Sequence, residues 1–302
     1  MAGYLTQIEG IKVGHYTDAV ALTGCTAVLC EGGAVAGVDV RGCAPGTRET
    51  DLLRGYNLVD RIHALMLCGG SAYGLDAASG AMQYLEEKGI GFVSPPAVVP
   101  IVPAAVIFDL GIGDFRVRPG KREGYLACEA AKDGAFETGS VGAGTGATIA
   151  KLFGPQHAAK GGLGSFCVEL FGGVKVAALT VVNALGEIYD PENGNIVAGA
   201  QKDGRLLTKE EKIHAAAAAF GNTTIGVVAT NAALSREETN KLAAIAHDGL
   251  ALAIRPVHTP YDGDTFFGLS TSKVSGVPFT AILMAAVQAV SGSVLNAVGF
   301  DK

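Results

Sequence analysis

The sequence has no C-x-x-C pair, no cluster of basic residues, no basic-then-apolar leader and no complete nucleotide-binding signature. Each absence argues against a class of function. Its six cysteines, Cys25, Cys30, Cys43, Cys68, Cys128 and Cys167, stand apart from one another, away from the zinc and dithiol spacings. Free thiols in a reducing, cytoplasmic setting are the expectation. With 29 acidic against 23 basic residues and a net charge of −6, nothing tracks a phosphate backbone, so nucleic acid is not an expected partner. The start, Met1-Ala2-Gly3-Tyr4-Leu5-Thr6, does not read as a secretion signal. The longest apolar stretch, taken as residues 92–108, is broken by Pro95, Pro96, Pro100 and Pro103, which argues against a membrane span. It reads as irregular or edge-strand backbone.

What is abundant is glycine, 43 residues in short Gly-Gly and Gly-x-Gly turns, within a chain of 302 residues that is 49% hydrophobic. That composition predicts a globular protein with a sizeable core and many close backbone approaches. From Ile8 to about Asp39 the pattern is strand-like, as in a β-meander, with turns at residues 14–18 and 31–33. A strand over 61–67 leads into a helix over 71–88, and a further helix is predicted near 125–132. Strands follow at 164–170 and 174–183. Residues 186–212 are polar and without period, which suits a flexible connection. An alanine-rich run, 214–220, precedes a β-branched strand at 223–230. Ser235 and Glu238 form a capping box for a helix over 235–255, and the chain closes with an apolar-faced helix over 278–297.

Several stretches offer chemistry. His15 has no nearby histidine or cysteine partner and reads as structural. The loop at 41–51 holds Arg41, Arg48, Glu49 and Asp51, either to bind an anion or to pair internally. Ser71 sits at a strand-to-helix turn among glycines, yet Tyr73 stands where a nucleophile elbow needs glycine. The loop Val141-Gly142-Ala143-Gly144-Thr145-Gly146, running on to Lys151, has neither G-K-[ST] nor the dinucleotide spacing. It still leaves room for backbone amides and Lys151 to approach a small substrate. Asn183, at a strand end, can offer an amide to an oxyanion or simply turn the chain. Asp262 and Asp264, one residue apart, come without a metal-ligand set, so neither metal nor cofactor is expected. Asn222-Thr223 places a hydroxyl at the head of a strand. If the bond between them is cut, Thr223 carries both a nucleophilic Oγ and an α-amine able to act as its base.

Taken together and in order, Gly70-Ser71-Ala72-Tyr73-Gly74, the 141–146 loop, Asn222-Thr223-Thr224-Ile225-Gly226 and Asp262-Gly263-Asp264 resemble the L-aminopeptidase/D-amidase (DmpA-type) family of N-terminal nucleophile hydrolases. That family includes β-peptidyl aminopeptidases and nylon-oligomer endohydrolases. The resemblance covers nearly the whole chain. It implies an α+β fold, a four-layer αββα sandwich, formed by one hydrolase domain (1–302) that cuts itself into 1–222 and 223–302 and assembles as a homo-oligomer of processed pairs. It further implies Thr223 as nucleophile, Asn183 as oxyanion donor, Lys151 as an active-site lysine, and Asp262 and Asp264 as the pair that holds the threonine amine and hydroxyl. Phe108, with Gly144, Thr145 and Gly146, would border the substrate, a small peptide or amide. Two departures stand out. Phe108 replaces an aromatic residue that commonly bears a polar edge, and Pro103-Ala104-Ala105-Val106 lacks the acid that grips a free substrate amine. An endo-acting amidase is therefore as well supported as an aminopeptidase. The competing readings are an ornithine-acetyltransferase-like acyltransferase, a serine hydrolase built on Ser71, and a non-catalytic small-molecule or nucleotide-binding module.

Overall fold

Period-two alternation along the long strands fixes the layers of the molecule. The computed structural model describes residues 3–215 and 221–300. Nine strands form one continuous sheet: β1 (Lys12–Asp18), β2 (Thr23–Val40), β3 (Thr47–Arg48), β4 (Arg61–Cys68), β5 (Ala104–Val106), β6 (Gly162–Glu169), β7 (Lys175–Asn183), β8 (Thr223–Ala232) and β9 (Thr265–Val274). Their spatial order is β6-β7-β8-β9-β2-β4-β5-β3, with β1 paired to β2. Among the described residues, five α-helices accompany them: α1 (Ala77–Glu87), α2 (Lys121–Glu129), α3 (Lys209–Ala215), α4 (Arg236–Ala253) and α5 (Phe279–Ala297).

β2 makes two layers out of one sheet. Its first part pairs with β1 and β4, its last part pairs with β9, and the register breaks between Leu29 and Ala34. The turn expected at residues 31–33 is instead this irregularity inside an 18-residue strand, because both flanks find partners and the chain has no need to reverse. The two halves pack face to face through Val28, Leu65, Leu67 and Ile107 on one side and Leu179, Val181, Ile225, Val227 and Phe267 on the other. Alternate residues of the same strands face helices. Val176, Ala178, Val228 and Phe266 meet α4 and α5, whereas Ala27, Leu29, Ala64 and Met66 meet α1 and α2. Three apolar interfaces thus separate four layers, the αββα sandwich. Each large apolar side chain buried there contributes about 1.5–3 kcal/mol.

Local signals explain most boundaries. The Ser235 hydroxyl accepts the Glu238 N–H at 3.2 Å and the Glu238 carboxylate accepts the Ser235 N–H at 2.8 Å, so α4 starts where the capping box predicts. α2 begins earlier than expected because the Glu123 carboxylate accepts the Gly120 N–H at 2.9 Å. The helix expected from Ser71 is a run of 3₁₀ turns, Ser71–Asp76, before α1. In place of the irregular connection expected at 186–212 there are short strands at Glu187–Tyr189, Ile196–Ala198, Gln201–Lys202 and Arg205–Leu206, followed by α3. They are held by buried Glu187, which pairs with Lys212 at 2.7 Å and accepts the Ala200 N–H at 3.0 Å. Polar ligation did there what periodicity does elsewhere. Of the alanine-rich run, residues 216–220 lie outside the described residues.

Among the described residues α5, rather than 92–108, is the helix long and apolar enough to cross a bilayer by length and composition. Its packing accounts for that composition. Ala285, Ala289, Val290, Val294 and Ala297 are buried in the interface with the sheet and α4, and Thr180 of β7 shares a 2.6 Å hydrogen bond with Ser293. Gly164 of β6 lets α5 approach backbone to backbone: a Cβ there would stand 2.1 Å from the Ser293 carbonyl oxygen. Gly164→Ala is expected to destabilise the protein by about 1–3 kcal/mol through overpacking, read as a lower urea midpoint with an unchanged slope.

Candidate active site

Three strand ends meet at one edge of the inner layers. β7 runs antiparallel to β8, so its last residue, Asn183, lies in register with the first residue of β8, Thr223. β9 runs parallel to β8, so the segment just before it, Asp262-Gly263-Asp264, reaches the same edge, and Asn222 bridges to Asp262. Residues about forty positions apart become neighbours because the two strands point the same way. All are buried: Asn183, Asn222, Thr223, Asp262 and Asp264 are each no more than 4% exposed.

The hydrogen bonds form one connected set. Lys151, on a 3₁₀ turn after the glycine loop, donates from Nζ to the Asn183 side-chain oxygen at 2.8 Å, to its carbonyl at 3.0 Å and to the Gly221 carbonyl at 3.3 Å. The Asn183 amide nitrogen donates to the Phe108 carbonyl at 3.2 Å and to the Gly221 carbonyl at 3.4 Å. Thr223 Oγ1 donates to the Asn222 carbonyl oxygen, which also accepts the Gly263 N–H at 3.0 Å. Asp264 Oδ1 accepts the Thr224 N–H at 2.6 Å, and Oδ2 accepts from His258 Nδ1 at 2.8 Å. Asp262 Oδ2 accepts both the N–H and the hydroxyl of Thr259, at 2.7 and 2.6 Å. In the uncleaved chain Asn183 thus serves the carbonyl of Gly221, and the carbonyl of Asn222 is served by Gly263.

Burial dominates the charges. It lowers the Lys151 ammonium to about 7, against the opposing pull of Asp262 and Asp109. It raises the Asp262 carboxyl above its ordinary value, assisted by the neighbouring charge of Asp264. A lysine near neutrality can both give and take a proton, as acid–base chemistry requires. Among the described residues, no three His, Cys, Asp or Glu side chains gather as a metal site.

The other expected residues fall into two groups. Phe108 belongs to the site: it is 42% exposed, its carbonyl is bonded to Asn183, and its ring packs so closely on Gly221 that a Cβ there would lie 2.5 Å from it. Gly144, Thr145 and Gly146 are buried, and the carbonyls of Gly144 and Thr145 each accept from Lys160 Nζ at 2.9 Å. Upstream, the Gly142 and Ala143 amides are taken by the hydroxyls of Thr17 and Thr26. The loop reaches the site at Thr148, whose N–H meets the Asn183 side-chain oxygen at 3.1 Å. His15 is structural, bonded to Thr26 and lowered to about 4 by burial. In the 41–51 loop, the Arg41 and Gly42 amides bind the Asp264 carbonyl and the Ala44 amide binds that of Asp262. Ser71 takes a left-handed conformation, φ 55°, and donates its N–H to the Ile107 carbonyl at 3.0 Å.

Sequence reasoning missed two contributors. His258 was visible in the run leading to Asp262 but had no spacing that marked it. Gly263 contributes through its amide, which leaves no side-chain signature.

Residues 4–300 match the profile of Peptidase family S58. The chain is 44% identical over 293 residues to an uncharacterized aminopeptidase of Mycobacterium leprae, covering 89% of this chain and 79% of that protein. It is 33% identical over 277 residues to a 6-aminohexanoate-oligomer endohydrolase of Kocuria, covering 88% and 74%. The L-aminopeptidase D-Ala-esterase/amidase of Ochrobactrum anthropi, described as a variant of the Ntn hydrolase fold, superposes with a TM-score of 0.75 at 19% identity, over 98% of this chain and 86% of that one. A Burkholderia β-aminopeptidase gives 0.71 at 19% identity, over 98% and 87%. Fold and relatives together define a peptide- and amide-bond hydrolase of N-terminal nucleophile architecture. The chain belongs to peptidase family S58. Acyltransferase and nucleotide-binding alternatives find no support among these relatives.

Lys151 has a measurable signature. An unfolded lysine titrates near 10.5 and the buried one near 7, so between those values the unfolded chain binds a proton that the folded chain has released. Stability then rises with pH across that window, and below it the full cost of burying the ammonium is present. Urea titrations at about pH 7 and about pH 9.5 are expected to show the native protein gaining stability relative to Lys151→Met as pH rises.

Proposed function

We propose that Thr223 is the catalytic nucleophile, released by autocleavage of the Asn222–Thr223 bond. The observation that carries this is the pairing at the Asn222 carbonyl. The Thr223 hydroxyl lies on it, and the Gly263 N–H, at 3.0 Å, donates to the same oxygen. Attack of Oγ on that carbonyl carbon places negative charge on an oxygen with a donor already aimed at it, a contribution of about 3 kcal/mol by the usual loss on removing such a donor. The C–N bond then breaks, leaving an ester between Asn222 and the Thr223 oxygen and a proton on the new α-amine. Water hydrolyses the ester, and Asn222 leaves as a carboxylate.

In turnover the freed amine, with an ordinary pKa of about 8, accepts the hydroxyl proton as Oγ attacks the substrate amide. It passes that proton to the leaving nitrogen, then activates the water that releases the acyl group. Departure of residue 221 from the site frees Asn183 and Lys151 from its carbonyl, so both can turn to the substrate carbonyl. Asp262 and Asp264 hold the threonine end of the strand.

The substrate class is a small peptide or peptide-like amide, and tolerance of internal amides is the favoured specificity. Residues 104–106 lie buried within β5 and carry no acid. The acid that follows, Asp109, is committed to the Gly70 N–H at 2.6 Å and the Thr23 hydroxyl at 2.8 Å. No carboxylate from this segment is left to require a free substrate amine. The working form we expect is a cytoplasmic homo-oligomer of processed pairs, with Phe108 at the substrate border.

Intact mass under denaturing conditions tests the nucleophile. The native protein should yield two species, the smaller beginning Thr-Thr-Ile-Gly. Thr223→Ala should remain at 30.6 kDa. A native chain that stays whole on prolonged incubation would sink the reading. Matched substrates with free and acetylated amino termini should be cut with comparable kcat/KM, and a strong preference for the free amine would establish the aminopeptidase alternative instead.

A further inference from the structure

We infer that His258 is a positioning residue for this reaction, holding Asp264 so that the peptide following the nucleophile is fixed. The inference rests on Thr223 being that nucleophile. Asp264 is 1% exposed and its two carboxylate oxygens serve different partners. Oδ1 accepts the Thr224 N–H at 2.6 Å, whereas Oδ2 accepts from the His258 backbone N–H at 3.2 Å and from Nδ1 at 2.8 Å. The carboxylate therefore links an imidazole to the first peptide unit after Thr223. Tethering that N–H pins the peptide plane after Thr223 and restricts ψ of that residue, so its amine and Oγ, which move together about the Cα–C bond, keep one orientation relative to the strand end. That orientation decides how Oγ meets a carbonyl carbon at the site.

The histidine is built for the task. Its φ of 56° is left-handed, a conformation few side-chain-bearing residues adopt, and it brings the backbone N–H and the ring to the same oxygen. A carboxylate partner requires Nδ1 to carry the proton. Its Nε2 is buried without a hydrogen-bond partner among the described residues, so it has no second polar contact to pull the ring away. Behind it lies His247 of α4, with ring centroids 4.9 Å apart at 67°. His247 is fully buried, lies with Nε2 3.2 Å from the Asp39 carbonyl, and is lowered to about 4 by burial, so a neutral ring clamps the first. Arg41, beside Asp39 at 3.3 Å, donates its own N–H to the Asp264 carbonyl at 3.0 Å. The second layer thus grips both Asp264 and the imidazole bonded to it.

The test compares His258→Asn and His258→Gly, with Thr223→Ala alongside. Asparagine and glycine both accept a positive φ, but only asparagine offers a donor where Nδ1 stands. Autocleavage is followed by intact mass, and kcat and KM are measured on the cut fraction with a dipeptide p-nitroanilide. His258→Gly should slow both cleavage and kcat by about tenfold or more with KM nearly unchanged, and His258→Asn should recover rates to within about threefold of native. Equal losses in the two variants would mean that the ring only fills space, and native rates in His258→Gly would mean that it does nothing for the reaction; either result overturns the inference. If His258→Gly does not fold by circular dichroism, His258→Gln decides, since its donor lies one bond farther out. Slow Gln beside near-native Asn supports positioning, and equal rates overturn it. Cleavage of Thr223→Ala would remove the nucleophile reading itself, whereas an uncut Thr223→Ala beside unaffected His258 variants removes only the positioning role.

Discussion

The parallel pairing of β8 with β9 brings the start of one strand beside the start of the other, and the site depends on this. An antiparallel neighbour there would have carried Asp262 and Asp264 to the far end of the sheet. The connection that makes the parallel pair possible is α4, which crosses the outer face and seals it with Leu242, Ala246 and Leu250. The same helix contributes His247 to the layer behind Asp264. One crossover therefore supplies the core, the acidic pair and the support of that pair, which ties the stability of the outer layer to the geometry of the site.

Burial then sets the chemistry. Lys151 sits in a setting that resists its charge, and it is kept by three oxygens, two on Asn183 and one on Gly221. Two of these belong to the end of β7 and the third to the chain just before Asn222-Thr223. The lysine is thus a strut across the site as well as a group near its titration point. Loss of its proton leaves two N–H donors for three oxygens and a lone pair on the nitrogen, so protonation state and local geometry change together.

How much of this was readable beforehand follows from the kind of signal each element carries. Strands and the capped helix α4 were legible because alternation and the Ser235–Glu238 box are local. The four-layer arrangement came only through the resemblance and from no local signal, since it depends on β2 passing between layers at an irregularity that looks, in one dimension, like a glycine turn. Thr223, Asn183, Lys151 and the two aspartates could be named as a group only through resemblance; their convergence is a consequence of strand direction, which no single segment records. Segment 186–212 looked loose because its order comes from one buried carboxylate, Glu187, whose partners lie 13 and 25 residues away. The Gly263 amide was invisible for a simpler reason: every residue but proline has one.

β8 has a last consequence, which concerns refolding. It lies between β7 and β9, hydrogen-bonded on both sides, and the 223–302 part inserts its first strand into the middle of a sheet whose outer members belong to the 1–222 part. A nick before Thr223 would leave the native assembly interlocked, with every ladder intact. Once unfolded, however, the two pieces would have to find each other in solution. Reassembly would become a second-order process, dependent on concentration, where the uncut precursor folds as a single chain.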